Sequence, residues 1–267
     1  MLNFTKMNGA GNDFVLIDNR DGRIHLDARD VAHLCDRHSG IGADGVLVVE
    51  PARDKSDFRM RYYNSDGGEA EMCGNGARCF ARFVNRLAGP RDGVRIETLA
   101  GDITARFIGD RVEIGMSEPH SLRLKQTVEA LETKFTVHSV NTGVPHAVIL
   151  VDDLENTDVA RIGEAVRHHP HFAPKGTNVN FIHALDARSL AVRTYERGVE
   201  AETLACGTGV VASALIFHEL TAAPAPVSVR VRGGDSLEVR FDKSSGGYRD
   251  VKLSGPADFV FDGVIGP

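Results

Sequence analysis

Apolar residues in this chain come in short runs whose period changes from place to place. Phe14-Val15-Leu16-Ile17 and Val46-Leu47-Val48-Val49 are unbroken and brief, as buried strands are. Residues 58–63 alternate apolar and basic side chains, which predicts a half-exposed strand. Turn residues separate three further runs, 94–98, 103–108 and 112–114, as in an antiparallel meander. Later strands are expected at 136–140, 147–151, 178–183, 190–194, 227–231, 237–241, 251–253 and 259–261. Glycine and asparagine mark loops at 8–13, 40–45, 64–68 and 141–146. The stretch 117–131 is expected to be a crossover between domains.

Helical spacing is rarer. Residues 30–37 place Val31 and Leu34 on one face, and 158–167 form a second helical segment. After Cys73, the positions Ala77, Phe80, Val84 and Leu87 keep helical spacing until Gly89-Pro90 ends it. After Cys206, Val210-Val211-Ala212-Ser213-Ala214-Leu215-Ile216-Phe217 has no polar stripe. A helix apolar all round must be buried all round. Its natural host is a curved antiparallel sheet wrapped around it; a parallel sheet is disfavoured, because strands follow one another with few helices between.

The chain repeats itself. Met72-Cys73-Gly74-Asn75-Gly76-Ala77-Arg78 has a near-copy in Ala205-Cys206-Gly207-Thr208-Gly209-Val210-Val211, and 206 − 73 = 133. The loops at Asn8 and Asn141 differ by 141 − 8 = 133 as well, and each leads into an apolar strand, Val15-Leu16-Ile17 and Val148-Ile149-Leu150, at the same offset. Glu69-Ala70-Glu71 and Glu200-Ala201-Glu202 precede the two cysteines. The reading is two homologous lobes joined near residue 117, with an active site in the cleft between them.

Composition narrows the field without choosing a function. With 267 residues, 42% hydrophobic and 25% charged, the chain suits one large or two medium globular domains. A net charge of −6 offers no electrostatic footprint for nucleic acid or an anionic membrane. No apolar run approaches the ~20 residues of a membrane span, and the first residues lack a signal peptide's pattern, so the cytoplasm is expected. There the four cysteines should be reduced. No C-x-x-C zinc pair occurs, and the run His168-His169-x-His171 reads as surface. Cys35 and Cys79 read as small core residues.

The duplicated cysteines read differently. A helix N-terminus carries unpaired N–H groups and partial positive charge, and it stabilises a thiolate placed there. Gly74, Gly76, Gly207 and Gly209 let backbone approach a ligand closely. Two such anion nests facing one amino acid would hold its carboxylate between two helix ends and its α-carbon between two sulfurs. One thiolate could take the α-proton while the opposite thiol returns one to the other face. That is stereoinversion, and the scheme calls for no metal or cofactor.

Several segments resemble diaminopimelate epimerase: Asn8-Gly9-Ala10-Gly11-Asn12-Asp13-Phe14, Asn64-x-Asp66-Gly67, 71–79 around Cys73, Tyr195-Glu196-Arg197-Gly198, 205–209 around Cys206, and Gly255-Pro256-Ala257. The resemblance implies an enzyme interconverting LL- and meso-diaminopimelate, a precursor of lysine and cell wall. It implies an α+β fold of two pseudo-symmetric lobes, each a mostly antiparallel, barrel-like sheet around a central helix, and a homodimer. The lobes would be 1–117 with about 255–267, carrying Cys73, and 118–254, carrying Cys206. Cys73 and Cys206 would be acid and base. Gly74-Asn75 and Gly207-Thr208 would bind a carboxylate through backbone, and Asn12, Asn64, Asn178, Glu196 and Arg197 would contact substrate. His146 and Glu196 would tune the cysteines, although His146 after Pro145 could equally be a structural loop residue.

Two positions depart from the common pattern: many members carry Gln at Gly45 and Asn at Val144. A related racemase for proline, hydroxyproline or histidine is therefore an alternative, as is a non-catalytic binder of amino acids. The Glu196-Arg197 pair and the asparagines favour a substrate with two charged ends.

Overall fold

The computed structural model describes residues 1–266. The chain forms two compact units: Met1–Gly115, joined by the end of the chain from Ser254, and Met116–Leu253. In the first, β1 (Leu2–Gly9) and β2 (Asn12–Asp18) form an antiparallel hairpin. After α1 (Ala28–Cys35), β3 (Gly45–Glu50) lies parallel to β2, and β4 (Phe58–Asn64) runs antiparallel to β3. The short β5 (Glu69–Ala70) leads to α2 (Gly74–Ala88), and β6 (Gly93–Glu97) then lies parallel to β4. β7 (Ile103–Ile108) and β8 (Arg111–Gly115) continue as an antiparallel meander.

The second unit repeats this order. β9 (His120–Ala130) pairs with β10 (Thr133–Asn141), which forms a hairpin with β11 (Pro145–Leu150). After α3 (Val159–Arg167), β12 (Asn178–Ala184) lies parallel to β11, and β13 (Ser189–Glu196) is antiparallel to β12. β14 (Ala201–Thr203), α4 (Gly207–Thr221), β15 (Val227–Arg230) parallel to β13, β16 (Ser236–Ser244) and β17 (Gly247–Gly255) follow. The last strand, β18 (Asp258–Ile265), pairs with β1. Each first hairpin is thus flanked by the closing strand of the other half of the sequence.

The fold is α+β and mostly antiparallel, as expected, but parallel pairs occur at matching places in both halves. They are β2–β3 and β4–β6, then β11–β12 and β13–β15. Each is bridged by one of the four helices, the connection that parallel neighbours require. Both central helices are enclosed. α4 packs against β10, β11, β12, β13, β15 and β16, and every residue from Gly209 to Phe217 is buried. Burying each large apolar side chain there contributes about 1.5–3 kcal/mol. α2 packs against seven strands of its own unit, yet it carries polar residues on one face; its Arg78 is fully buried.

Three local expectations need correction. Residues 8–13 are not a loop: only Ala10 and Gly11 lie between β1 and β2. Both have positive φ (60° and 95°), the geometry of a tight hairpin turn, and the Gly11 amide donates to Asn8 Oδ1 at 2.8 Å. Residues 117–131 are not a plain crossover, because most of them form β9. Its apolar residues Leu122, Leu124, Val128 and Ala130 alternate with polar ones, but the strand is too exposed to read as a core run. α1 starts two residues early, because Asp27 and Asp30 form a reciprocal capping box.

The repeat offset also needs refinement. Register places Phe14 opposite Gly45 and His146 opposite Asn178. Phe14 therefore corresponds to His146, an offset of 146 − 14 = 132, while the cysteines keep 133. From Val140 to its partner His146 the second hairpin spans one residue fewer than the first does from Met7 to its partner Phe14, although its connection, 142–144, is one residue longer. Because strand side chains alternate, that one residue decides which face each side chain takes.

Candidate active site

Cys73 and Cys206 are the N-cap residues of α2 and α4. Both have extended backbone (φ −134° and −121°), so the chain turns into each helix directly after the thiol-bearing residue. Cys73 Sγ accepts from the Gly76 amide at 3.5 Å, the bond an oxygen cap would make. Cys206 Sγ lies 3.6 Å from Thr208 Oγ1, and Thr142 Oγ1 donates to the Thr208 carbonyl at 2.9 Å, steadying that first turn. Gly74, Asn75 and Gly76 form the open turn behind Cys73; Gly207, Thr208 and Gly209 do the same behind Cys206. The two other thiols differ in kind. Burial pushes Cys35 up to about 11 and Cys79 up to about 12, so both stay protonated and inert.

Around α2, one chain of amides and charges sets the geometry. Arg78 Nη2 donates to Asn75 Oδ1 at 2.9 Å, Asn75 Nδ2 to Asn12 Oδ1 at 2.7 Å, and Asn12 Nδ2 to Asp44 Oδ2 at 2.9 Å. Arg78 also reaches the carbonyls of Gly9, Gly74 and Pro256, tying the helix start to β1 and to the C-terminal segment. Beyond Asp44 lies Asp13. Burial works against its charge, but Arg37 and Lys6 hold it down to about 2. Asn64 closes β4, exposed, as register partner of Gly45. At Gly45 an added Cβ would sit 2.5 Å from the Tyr63 carbonyl oxygen and 2.8 Å from the Tyr62 ring. Tyr62, packed edge-on against Phe14 at 6.2 Å, takes the room a larger residue would need.

Around α4 the same positions carry more reactive groups. His146 and Asn178 are register partners, and the Val179–Tyr195 pairing sets Asn178 beside Glu196. Where the first unit has Phe14, Gly45 and Asn64, the second therefore has His146, Asn178 and Glu196. Asn178 is buried; its Nδ2 donates to the Pro145 carbonyl at 3.1 Å and its Oδ1 accepts from the Arg197 amide at 2.8 Å. It thus joins the strand carrying His146 to the Glu196-Arg197 pair. Burial raises the Glu196 pKa, partly offset by a hydrogen bond from Thr203 Oγ1 at 2.9 Å. Burial, with the nearby Arg197 as the lesser cause, pushes His146 down to about 3, so its ring is neutral near pH 7. Val144 lies half-buried in the hairpin connection before it.

Two groups escaped the sequence reading. Arg78 stands inside the first cysteine motif with no role of its own read from the sequence. Asn180, fully buried, lies two residues beyond Asn178 on the same strand and hence on the same face, a signal the period of two could have supplied. The histidines at 168, 169 and 171 are bound up in surface contacts: His168 with Glu200, His171 with Gln126.

Comparison with known proteins agrees with the motifs. The family model described as diaminopimelate epimerase matches residues 4–121 and 138–249. A diaminopimelate epimerase from Hydrogenobaculum sp. is 42% identical over 98% of this chain and 97% of its own length. One from Archaeoglobus fulgidus is 42% identical over 98% and 95%. Among solved structures, a phenazine biosynthesis protein of the PhzF family from Bacillus anthracis superposes with a TM-score of 0.75 at 15% identity, covering 99% of both chains. A hydroxyproline epimerase from Agrobacterium vitis gives 0.71 at 16%, over 98% and 91%. The structural matches speak for the fold, and the sequence matches for descent: this chain belongs to the diaminopimelate epimerase family.

Proposed function

We propose that this protein interconverts LL- and meso-diaminopimelate by two-base catalysis, with Cys73 and Cys206 acting on opposite faces of one α-carbon. The observation that carries the reading is the duplicated N-cap cysteine: one thiol at the start of each enclosed central helix, in a chain about 40% identical to diaminopimelate epimerases over nearly its whole length.

In the forward direction one cysteine is a thiolate. It takes the α-hydrogen as a proton, and the bonding pair moves into the α-carbon and its carboxylate. The other cysteine, a thiol, returns a proton from the opposite side and becomes the thiolate. The net change in substrate is configuration alone, and the enzyme is left ready for the reverse reaction. The amides of residues 74–76 and 207–209 would hold the carboxylate as its negative charge grows, where helix-end donors contribute most. Asn12, Asn64, Asn178, Glu196 and Arg197 would receive the charged groups at the non-reacting end. His146 and Glu196 would tune the two cysteine thiols.

The test is incubation with LL-diaminopimelate, and in parallel with L-proline, trans-4-hydroxy-L-proline and L-histidine. The expected result is meso-diaminopimelate alone; inversion of one of the others without diaminopimelate turnover would move the protein to the racemase reading. Gly45 supports diaminopimelate less directly than the common Gln would, but Tyr62 fills that space from the neighbouring strand.

The partner we propose is a second copy of the chain, acting in the cytoplasm. Phe259, Val260, Phe261 and Val264 on β18 are all exposed apolar side chains, of the kind that a homodimer interface buries. Light scattering should then give twice the chain mass of 28.9 kDa; a monomer at micromolar concentration would contradict it.

A further inference from the structure

The ring of His146 has two nitrogens, and the structure decides which one holds the proton. The deciding residue is Asn180. Its side chain and that of His146 lie on the face of the β11–β12 pair that looks toward α4: Asn180 Nδ2 approaches His146 Nδ1 at 3.1 Å, and Asn180 Oδ1 sits against Gly209 in the first turn of α4. The amide could in principle be turned the other way round. Its neighbours forbid that. Asn180 Nδ2 also lies 2.9 Å from the Ala147 carbonyl oxygen, which can only accept. Turning the amide would set two oxygens against each other. On the other side Thr194 Oγ1 donates to Asn180 Oδ1 at 3.0 Å. The NH2 therefore faces the ring, one hydrogen on Ala147 and one on His146.

A donor aimed at Nδ1 requires Nδ1 to be an acceptor. In a neutral imidazole the proton is then on Nε2. Nε2 is buried and, among the described residues, has no hydrogen-bond partner. An unpaired buried N–H costs about 1–3 kcal/mol, so folded proteins rarely leave one without a use. Here it sits on the face toward the helix that Cys206 caps.

We propose that Asn180 is a positioning residue that locks His146 in the Nε2–H form, so that the ring enters the reaction as a neutral hydrogen-bond donor and never as a proton-accepting base. The acceptor is a group that gains negative charge in this half of the site: the Cys206 thiolate or the substrate carboxylate. The low basicity of the buried ring agrees with this. So does the first unit, where Phe14 occupies the corresponding place and no ring nitrogen is available. The role in catalysis rests on the epimerase reading; the tautomer does not.

The experiment is nitrogen-15 NMR of the histidine rings in the substrate-free protein at pH 7.5, with the His146 signals assigned by their loss in His146→Gln. Two-bond couplings from the ring carbon-bound protons distinguish the tautomers. The expected result is a neutral His146 with its proton on Nε2. In Asn180→Asp the carboxylate accepts where the amide donated, so the proton should move to Nδ1. The kcat of that variant should fall by about 100-fold or more with KM changed only a few-fold, as when a catalytic histidine is held in the wrong tautomer. A wild-type ring protonated on Nδ1, a charged ring, or full kcat in a folded Asn180→Asp protein would overturn the proposal. The wild-type spectrum decides even if the variant does not fold. An inactive protein with the proton on Nε2 would support the tautomer while defeating the substrate reading; an active one with the proton on Nδ1 would do the reverse.

Discussion

Replacing either Cys73 or Cys206 with alanine is expected to abolish epimerisation, with kcat falling by about 100- to 10,000-fold, the range a positioned acid or base contributes. Both losses should be large, because inversion needs a proton taken from one face and given to the other. Each variant still has one thiol, which can remove a proton only from the face it touches. It can return a solvent proton to that same face. Residual exchange of the α-hydrogen should therefore survive for one isomer alone, without inversion, and the isomer should differ between the two variants. Chiral analysis with mass spectrometry after incubation in deuterated water reads both quantities. A variant that still inverts at the wild-type rate, or two variants that exchange the same isomer, would break the symmetry of roles that the two N-caps suggest. Cys79→Ala and Cys35→Ala, which alter buried, protonated thiols, should leave the chemistry alone and cost only packing.

The second large effect separates two glycines that the motif makes look equivalent. At Gly76 an added Cβ meets Leu47 Cδ2 at 3.4 Å and Cys73 Cβ at 3.5 Å, ordinary contact distances. Gly76→Ala should be neutral, or stabilising by about 0.5–1 kcal/mol, since alanine costs less chain entropy within a helix. At Gly209 the same Cβ would lie 2.4 Å from Asn180 Oδ1 and 3.3 Å from Cys206 Cβ. Asn180 cannot retreat, being fully buried and held by Ala147, Thr194 and His146. Gly209→Ala should destabilise by about 1–3 kcal/mol, as overpacking does, which lowers the melting temperature by about 2–4 °C per kcal/mol in a chain of this size. It should also depress kcat, because the displaced amide is the one that holds His146. Thermal unfolding of the pair checks this. Equal melting temperatures would mean that the α4 start gives way where the geometry says it cannot.

The legible parts of this molecule were those where one physical signal dominates. The absence of a polar stripe on residues 210–217 is such a signal, and α4 is buried along that length. The cysteines at helix starts followed from glycine spacing and a downstream apolar period. What stayed hidden depends on pairing across the chain. β9 is exposed on most of its length, so its alternation carries little hydrophobic contrast. The one-residue difference between the two hairpins reverses which side chains face α2 and α4, and a fixed offset of 133 could not reveal it. The reactive asymmetry of the halves, Phe14 against His146 and Gly45 against Asn178, emerges only once register aligns them. Arg78 and Asn180 do their work through partners 69 and 34 residues away in sequence; the strand period could put Asn180 on the face of Asn178, but no local pattern names those partners.

In the proposed mechanism two thiols on opposite faces share one carbon, and the placement of deuterium in the product tests that arrangement. LL-diaminopimelate is incubated with the wild-type protein in deuterated water, and the reaction is stopped after a small fraction has turned over. The newly formed meso isomer should carry one deuterium at the inverted carbon, while recovered LL substrate carries none. Deuterium appearing in recovered LL substrate as fast as in product, or meso product that retains the original hydrogen, would mean that a single base serves both faces and would contradict it.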